Sequence, residues 1–194
     1  MSGSGPQARR RIVAGAADMI SRRGLNATSI RETAKHAEAP LGSTYHYFPD
    51  GKEQLAAEAV RYAGERVARR LGWELRAGPV AGLEAFLALW RTVLLESGFR
   101  AGCPVLAVSV EEPPSNEAPA PLAAAAEAFD SWEELLSASL REHGAPPEQS
   151  DQTAALVVAA VEGAVVMCRA KRSTLPLDRV AERLHALVSG ALSG

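Results

Sequence analysis

Residues 40–55 read PLGSTYHYFPDGKEQL, and the six positions Ser43 to Phe48 hold two aliphatic hydroxyls, two phenols, an imidazole and a phenyl ring. A helix built for a core would carry Leu and Ala there, and a solvated one Glu and Lys. So dense a set of hydrogen-bonding tips implies a surface outside the chain's own core, with Phe48 as the ring expected to turn inward. An aromatic mini-core is the competing reading for Tyr45, and a buried phenol would then need a partner for its hydroxyl. Other chemistries find little material. Nucleophilic catalysis asks for a His beside Cys103 or Ser109, but His36, His46, His143 and His185 stand in unrelated contexts. Metal binding asks for ligands at i, i+4 or in C-x-x-C spacing, and neither pattern occurs. A glycine-rich phosphate loop is also missing. The sequence therefore names no catalytic residue, no metal ligand and no cofactor.

The elements that must position these tips are helical. Ile12, Val13, Ala16, Ala17 and Ile20 repeat at helical spacing, and Gly24 supplies a stop after Arg22-Arg23. Arg9, Arg10 and Arg11 ahead of them read more readily as a solvated, frayed terminus than as a minor-groove arm. Thr28 or Ser29 caps a second short helix, with Glu32 placed to close the box and Ile30, Thr33 and Ala34 inward. A turn at Ala37–Pro40 leads to a third short helix from about Leu41 to Tyr47, ended by Pro49. Three helices in the first fifty residues, the last two short and tightly joined, spell a helix-turn-helix. Asp50 can cap a long fourth helix with a ridge of Leu55, Ala59, Ala63, Val67 and Leu71. Further helices are expected over about 80–96, 120–142, 154–168 and 177–188, with a short element before the proline-rich loop EEPPSNEAPAP (111–121). The apolar run 154–168 should be buried all round. There is no strand alternation and no internal repeat, so the fold class is all-α.

Composition bounds the reading. With 47% hydrophobic and 23% charged residues, the 194-residue chain has the make-up of a globular protein rather than a disordered one. Two distant cysteines, Cys103 and Cys168, argue against a disulfide scaffold and suit a reducing cytoplasm. The run 154–168 is too short, and broken by Glu162, to span a bilayer, so no membrane partner is expected. Residues 1–55 hold eight bases against five acids, +3, and the remainder 13 bases against 18 acids, −5. A basic head on an acidic body suits a nucleic-acid reader attached to something else.

Residues from about 8 to 56 resemble the DNA-binding domain of the TetR family of bacterial transcriptional repressors, through ATSIRETAKHA, GSTYHYFP and KEQL in that order and spacing. FRAGCPVLAVSVE (99–111) is similar to the body of the family's LmrA/YxaF-like branch, which implies control of efflux or catabolic genes by small aromatic compounds. The resemblance implies that Thr28, Tyr47 and Lys52 hold phosphates, that Ser43 and Tyr45 enter the major groove, and that Gly42 lets the backbones approach. Thr44 and Phe48 match the inward positions that seat the reading helix. Leu41 departs from the family's frequent Lys, Gln or Arg and offers only apolar contact, for instance to a thymine methyl. Glu38 replaces a frequent turn Gly, where a left-handed backbone costs roughly 1 kcal/mol. Gly51 is an extra residue relative to many members.

The expected organisation is an N-terminal three-helix DNA-binding domain, residues 1–52, and a larger helical ligand-binding and dimerisation domain, residues 53–194. The expected activity is that of a regulator, not an enzyme: a repressor that binds a near-palindromic operator in double-stranded DNA as a homodimer. A small, largely apolar or aromatic effector would release it. Trp90, Trp132 and Phe86 are candidate pocket rings, Glu162 a polar anchor and Gly163 the source of room, although each tryptophan, Trp73 included, also suits plain core packing, and pairing to an Arg across an interface is the default for a buried Glu162. Two alternatives stand: a helical small-molecule enzyme, and a dimeric interaction module without specific DNA binding.

Overall fold

The structure, a computed structural model, describes residues 4–112 and 119–192. Among them are nine α-helices and no strand: α1 Ser4–Arg23, α2 Ile30–His36, α3 Leu41–Tyr47, α4 Gly51–Glu74, α5 Pro79–Glu96, α6 Pro104–Ser109, α7 Ala120–Glu142, α8 Pro147–Lys171 and α9 Leu175–Ala191. A single 3-10 turn, Leu75–Ala77, joins α4 to α5. The described residues form two compact units. The first runs to Glu65 and takes in Cys103–Ala128; the second holds Arg66–Gly102 and the chain from Phe129 onward. Residues 113–118 of the expected proline-rich loop lie outside the described residues, and its last part, from Ala120, is already helix.

In the first unit α1 buries Ile12, Val13, Ala16, Ala17, Met19 and Ile20, the face its spacing predicts. The helix starts well before that stripe and includes Arg9, Arg10 and Arg11, so these are not a frayed terminus. Arg9 reaches Glu58 at 2.6 Å and lies 5.2 Å from the Phe48 ring centroid, and these contacts hold the early turn in place. Gly24, at φ +82°, ends α1 with its N–H on the Ile20 carbonyl. Ser29 caps α2: its hydroxyl oxygen accepts from the Glu32 N–H at 3.2 Å, and its proton goes to the Glu32 carboxylate at 2.9 Å. These bonds hold the Glu32 carboxyl below its ordinary value, with Arg23 adding to the effect. The turn into α3 is left-handed without a glycine, since Glu38 sits at φ +51°. Thr44 and Phe48 are fully buried beneath α3, and the Thr44 hydroxyl donates to the Pro40 carbonyl at 3.2 Å, which settles the hydroxyl at an inward position. At Gly64 a Cβ would lie 2.6 Å from that of Ala128, so only glycine lets α4 and α7 cross this closely.

In the second unit α9 buries Leu177, Leu184, Val188 and Ala191 against α8, and α5 packs on both helices. Two expectations change here. Trp73, expected in the core, is 65% exposed, with the Arg76 guanidinium 3.3 Å from its ring centroid. The helix α8 is not buried all round: Val157, Val158, Val161, Val165 and Cys168 face inward, whereas Leu156, Val166 and Met167 are exposed. The largely apolar sequence hid this because Leu and Val occur on both faces. The complete helix has 25 residues, the length and apolarity that could also cross a membrane, and half of its apolar window is buried inside the protein.

Candidate nucleic-acid interface

The reading helix α3 is amphipathic in a way its composition conceals. Thr44 and Phe48 face in, so Gly42, Tyr45 and His46 must face out, and they are exposed. Tyr45 is 54% exposed, which excludes the mini-core reading for its ring. Ser43 is half-buried, as is Tyr47, whose hydroxyl points back to α1 beside Gly5. Gly42 has a different kind of significance. Its φ is not positive, and a Cβ there would meet nothing within 4 Å, so no intramolecular packing requires glycine at this place. Glycine inside a helix is disfavoured by about 1 kcal/mol relative to alanine, so packing and helix propensity within the chain both leave this glycine unexplained.

A shallow groove of about 390 Å³ runs beside α3, lined by Asn26, Thr28, Ser29, Arg31, Tyr45 and Lys52. It brings together three of the six residues that the sequence reading assigned to DNA, Thr28, Tyr45 and Lys52; Gly42, Ser43 and Tyr47 lie outside it. Thr28 is buried and its hydroxyl proton goes to the Gly24 carbonyl at 2.7 Å, so its side chain serves the turn in this state. The Lys52 ammonium donates to the Asn26 carbonyl at 3.3 Å, an exposed bond that a phosphate can replace. Arg31 was missed in the sequence. It is exposed on α2 and, unlike Arg23, which pairs with Glu32 at 3.2 Å, makes no ion pair among the described residues. A base two positions beyond a helix cap is the signal that could have found it.

The residues assigned to a small-molecule pocket divide. Phe86, Trp90 and Trp132 do converge, edge to face, with Phe86 6.3 Å from Trp90 and 5.9 Å from Trp132, and Phe129 joins them 5.5 Å from Trp132. Such pairs contribute about 0.5–1.5 kcal/mol each beyond their burial. The Trp90 indole N–H is buried without a hydrogen-bond partner among the described residues. Glu162 is buried on α8. Its neighbour Gly163 is exposed, with nothing within 4 Å of a Cβ, so the room assigned to it opens outward instead of into the body. The thiols Cys103 and Cys168 are buried, and burial pushes Cys168 above its ordinary value, which keeps it a packed thiol instead of a nucleophile.

Comparison with known proteins agrees with this geometry. The family model for bacterial regulatory proteins of the tetR family matches residues 12–59, and that for the C-terminal domain of LmrA/YxaF-like transcriptional regulators matches residues 79–183. The HTH-type transcriptional regulator Rv0196 of Mycobacterium tuberculosis is 42% identical over 187 residues, 95% of either chain. YxaF of Bacillus subtilis is 30% identical over 183 residues, 93% of this chain and 94% of its own. A TetR regulatory protein from Rhodobacter sphaeroides shares the fold, with TM-score 0.81 at 21% identity over 93% of this chain and 98% of that one. These matches define a helix-turn-helix DNA-binding transcriptional regulator, a class of regulators and not of enzymes. The chain belongs to the TetR family, in its LmrA/YxaF-like branch.

Proposed function

We propose that this chain is a cytoplasmic repressor that binds a near-palindromic operator as a homodimer and is released by a small, largely apolar or aromatic effector. The observation that carries the dimer is the outer face of α8. Leu156, Ala159, Gly163, Val166, Met167 and Ala170 are exposed at intervals of three and four, a row that one helix presents to another. Gly163 has open space where its side chain would be, which favours close approach by a second α8. With α9 beside it, two copies make a four-helix interface about a two-fold axis. Two reading helices related by that axis then meet successive major grooves. Ser43 and Tyr45 read base edges, Thr28, Tyr47 and Lys52 hold phosphates, and Gly42 admits the DNA backbone. By role, residues 1–52 form the DNA head and residues 53–194 the effector-binding and dimerising body.

The effector reading rests on the Phe86, Trp90 and Trp132 cluster, where a buried indole N–H awaits an acceptor, with Glu162, buried on α8, as the polar anchor. Effector and operator are then linked, so each weakens the other by the same factor. Light scattering after size exclusion at micromolar concentration should give twice 20.5 kDa. Duplexes selected from a random pool should show dyad symmetry, with half-site centres roughly one helical turn apart. A monomer, or selected sites without a dyad, would overturn the proposal.

A further inference from the structure

The turn that leads into the helix-turn-helix is gripped by Lys52, which the DNA-binding reading uses, and by Glu111, which it does not. Gly24, Leu25 and Asn26 link α1 to the Ser29 cap of α2. Just beyond α6, Glu111 directs its carboxylate into this turn: Oε1 accepts from the Leu25 N–H at 2.7 Å and Oε2 from the Asn26 N–H at 2.7 Å. Successive N–H groups after a left-handed residue form a small anion-binding concavity, and Gly24 at φ +82° creates it. Glycine is required here twice, since a Cβ would also fall on the Glu111 carboxylate. From the other side Lys52, near the start of α4, donates to the Asn26 carbonyl at 3.3 Å. Inside the turn, Thr28 closes onto Gly24 and Leu25 through its hydroxyl at 2.7 Å and its N–H at 3.0 Å. Glu111 and Lys52 thus hold the donors and the acceptor of one five-residue turn.

We infer that Glu111 is a positioning residue for DNA binding: its carboxylate fixes the Leu25–Asn26 turn, and through the Asn26 carbonyl sets where the Lys52 ammonium stands for a phosphate. A carboxylate does this better than an amide. Both its oxygens accept, whereas a glutamine would turn an NH2 toward one of the two N–H groups. Because Glu111 follows α6 in the chain, its carboxylate ties the end of that short helix to the DNA interface without touching DNA. This rests on the proposal that Lys52 contacts a phosphate.

The test uses the full chain and a duplex obtained by selection. Amide exchange by NMR should show Leu25 and Asn26 protected in the unmodified protein, and accelerated in Glu111→Gln while core amides such as Ile20 and Val60 are unchanged. Unprotected amides in the unmodified protein would refute the clamp whether or not any variant folds. Binding by anisotropy should weaken about tenfold in Glu111→Gln, the difference between a charged and a neutral acceptor. Its salt slope should fall by about one, as if a phosphate contact were lost. Adding Lys52→Ala to Glu111→Gln should then cost little more, because both act through one turn. Additive losses with an unchanged slope would make Glu111 merely structural, and tighter binding in Glu111→Gln would make its carboxylate an occupant of a phosphate site; either result overturns the proposal. If Lys52→Ala alone leaves the slope intact, the phosphate reading fails, and amide protection still decides the clamp.

Discussion

Gly42 is where fold and function ask for opposite things. A Cβ there has free space within the chain and the backbone is ordinary helix, so alanine should suit α3 better than glycine does. We expect Gly42→Ala to keep or raise stability, by about 0.5–1 kcal/mol, yet to weaken operator binding about tenfold because the methyl enters the space of the DNA backbone. Thermal melting and anisotropy on the same sample separate the two effects, and unchanged DNA affinity would remove Gly42 from the interface. Tyr45 stands beside it with an exposed hydroxyl and no partner in the chain's core. Tyr45→Phe should therefore reduce discrimination at one base-pair position by about 1–3 kcal/mol, visible as a relaxed position in selected sites, with stability unaffected.

At the scale of elements, the two short helices of the DNA head depend on local bonds because seven residues are too few to be helical alone. The Ser29 and Glu32 pair supplies one such support to α2. Since the Glu32 carboxyl is lowered in the folded state, its contribution is complete above the ordinary carboxylate range and is lost as pH falls through the lowered value. Melting of the unmodified protein should therefore drop on acidification in that window. Ser29→Ala should cost about 1 kcal/mol at neutral pH and flatten that part of the profile. The turn between α2 and α3 is held at the opposite cost: Glu38 is exposed and left-handed. Glu38→Gly should raise stability by about 0.5–1 kcal/mol, measured by denaturant midpoint, and a loss would show that its side chain supports the turn.

For the whole molecule, the deciding surface is the outer row of α8. One helix carries an inner face that completes its own unit and an outer face of Leu156, Val166 and Met167 that the chain leaves open. Val166→Glu should give a folded monomer with near-native helical content, because the side chain points away from the unit's core. Its operator affinity should collapse toward that of a single head, since a second half-site engaged through one dimer raises affinity by orders of magnitude (about 10²–10⁴). A Val166→Glu protein that stays dimeric would place the interface elsewhere.

Much of this was already determined by sequence. Helix starts and stops came from Gly24, from Thr28 or Ser29, and from Pro40 and Pro49, whose local preferences act over a few residues; the structure chose Ser29 as the cap. The inward pair Thr44 and Phe48 and the outward Tyr45 were implied by the family resemblance, which ATSIRETAKHA, GSTYHYFP and KEQL carried together by their order and spacing. Three things were decided only by tertiary structure. The exposure of Trp73 and the open face of α8 depend on which neighbours arrive, and a run of Val, Leu and Ala has the same composition on either face. The groove at Arg31 and Lys52 needs α2 and α4 to be placed side by side. The grip of Glu111 on Leu25 and Asn26 joins residues 86 and 85 positions apart through backbone donors, which carry no side-chain signature in any sequence.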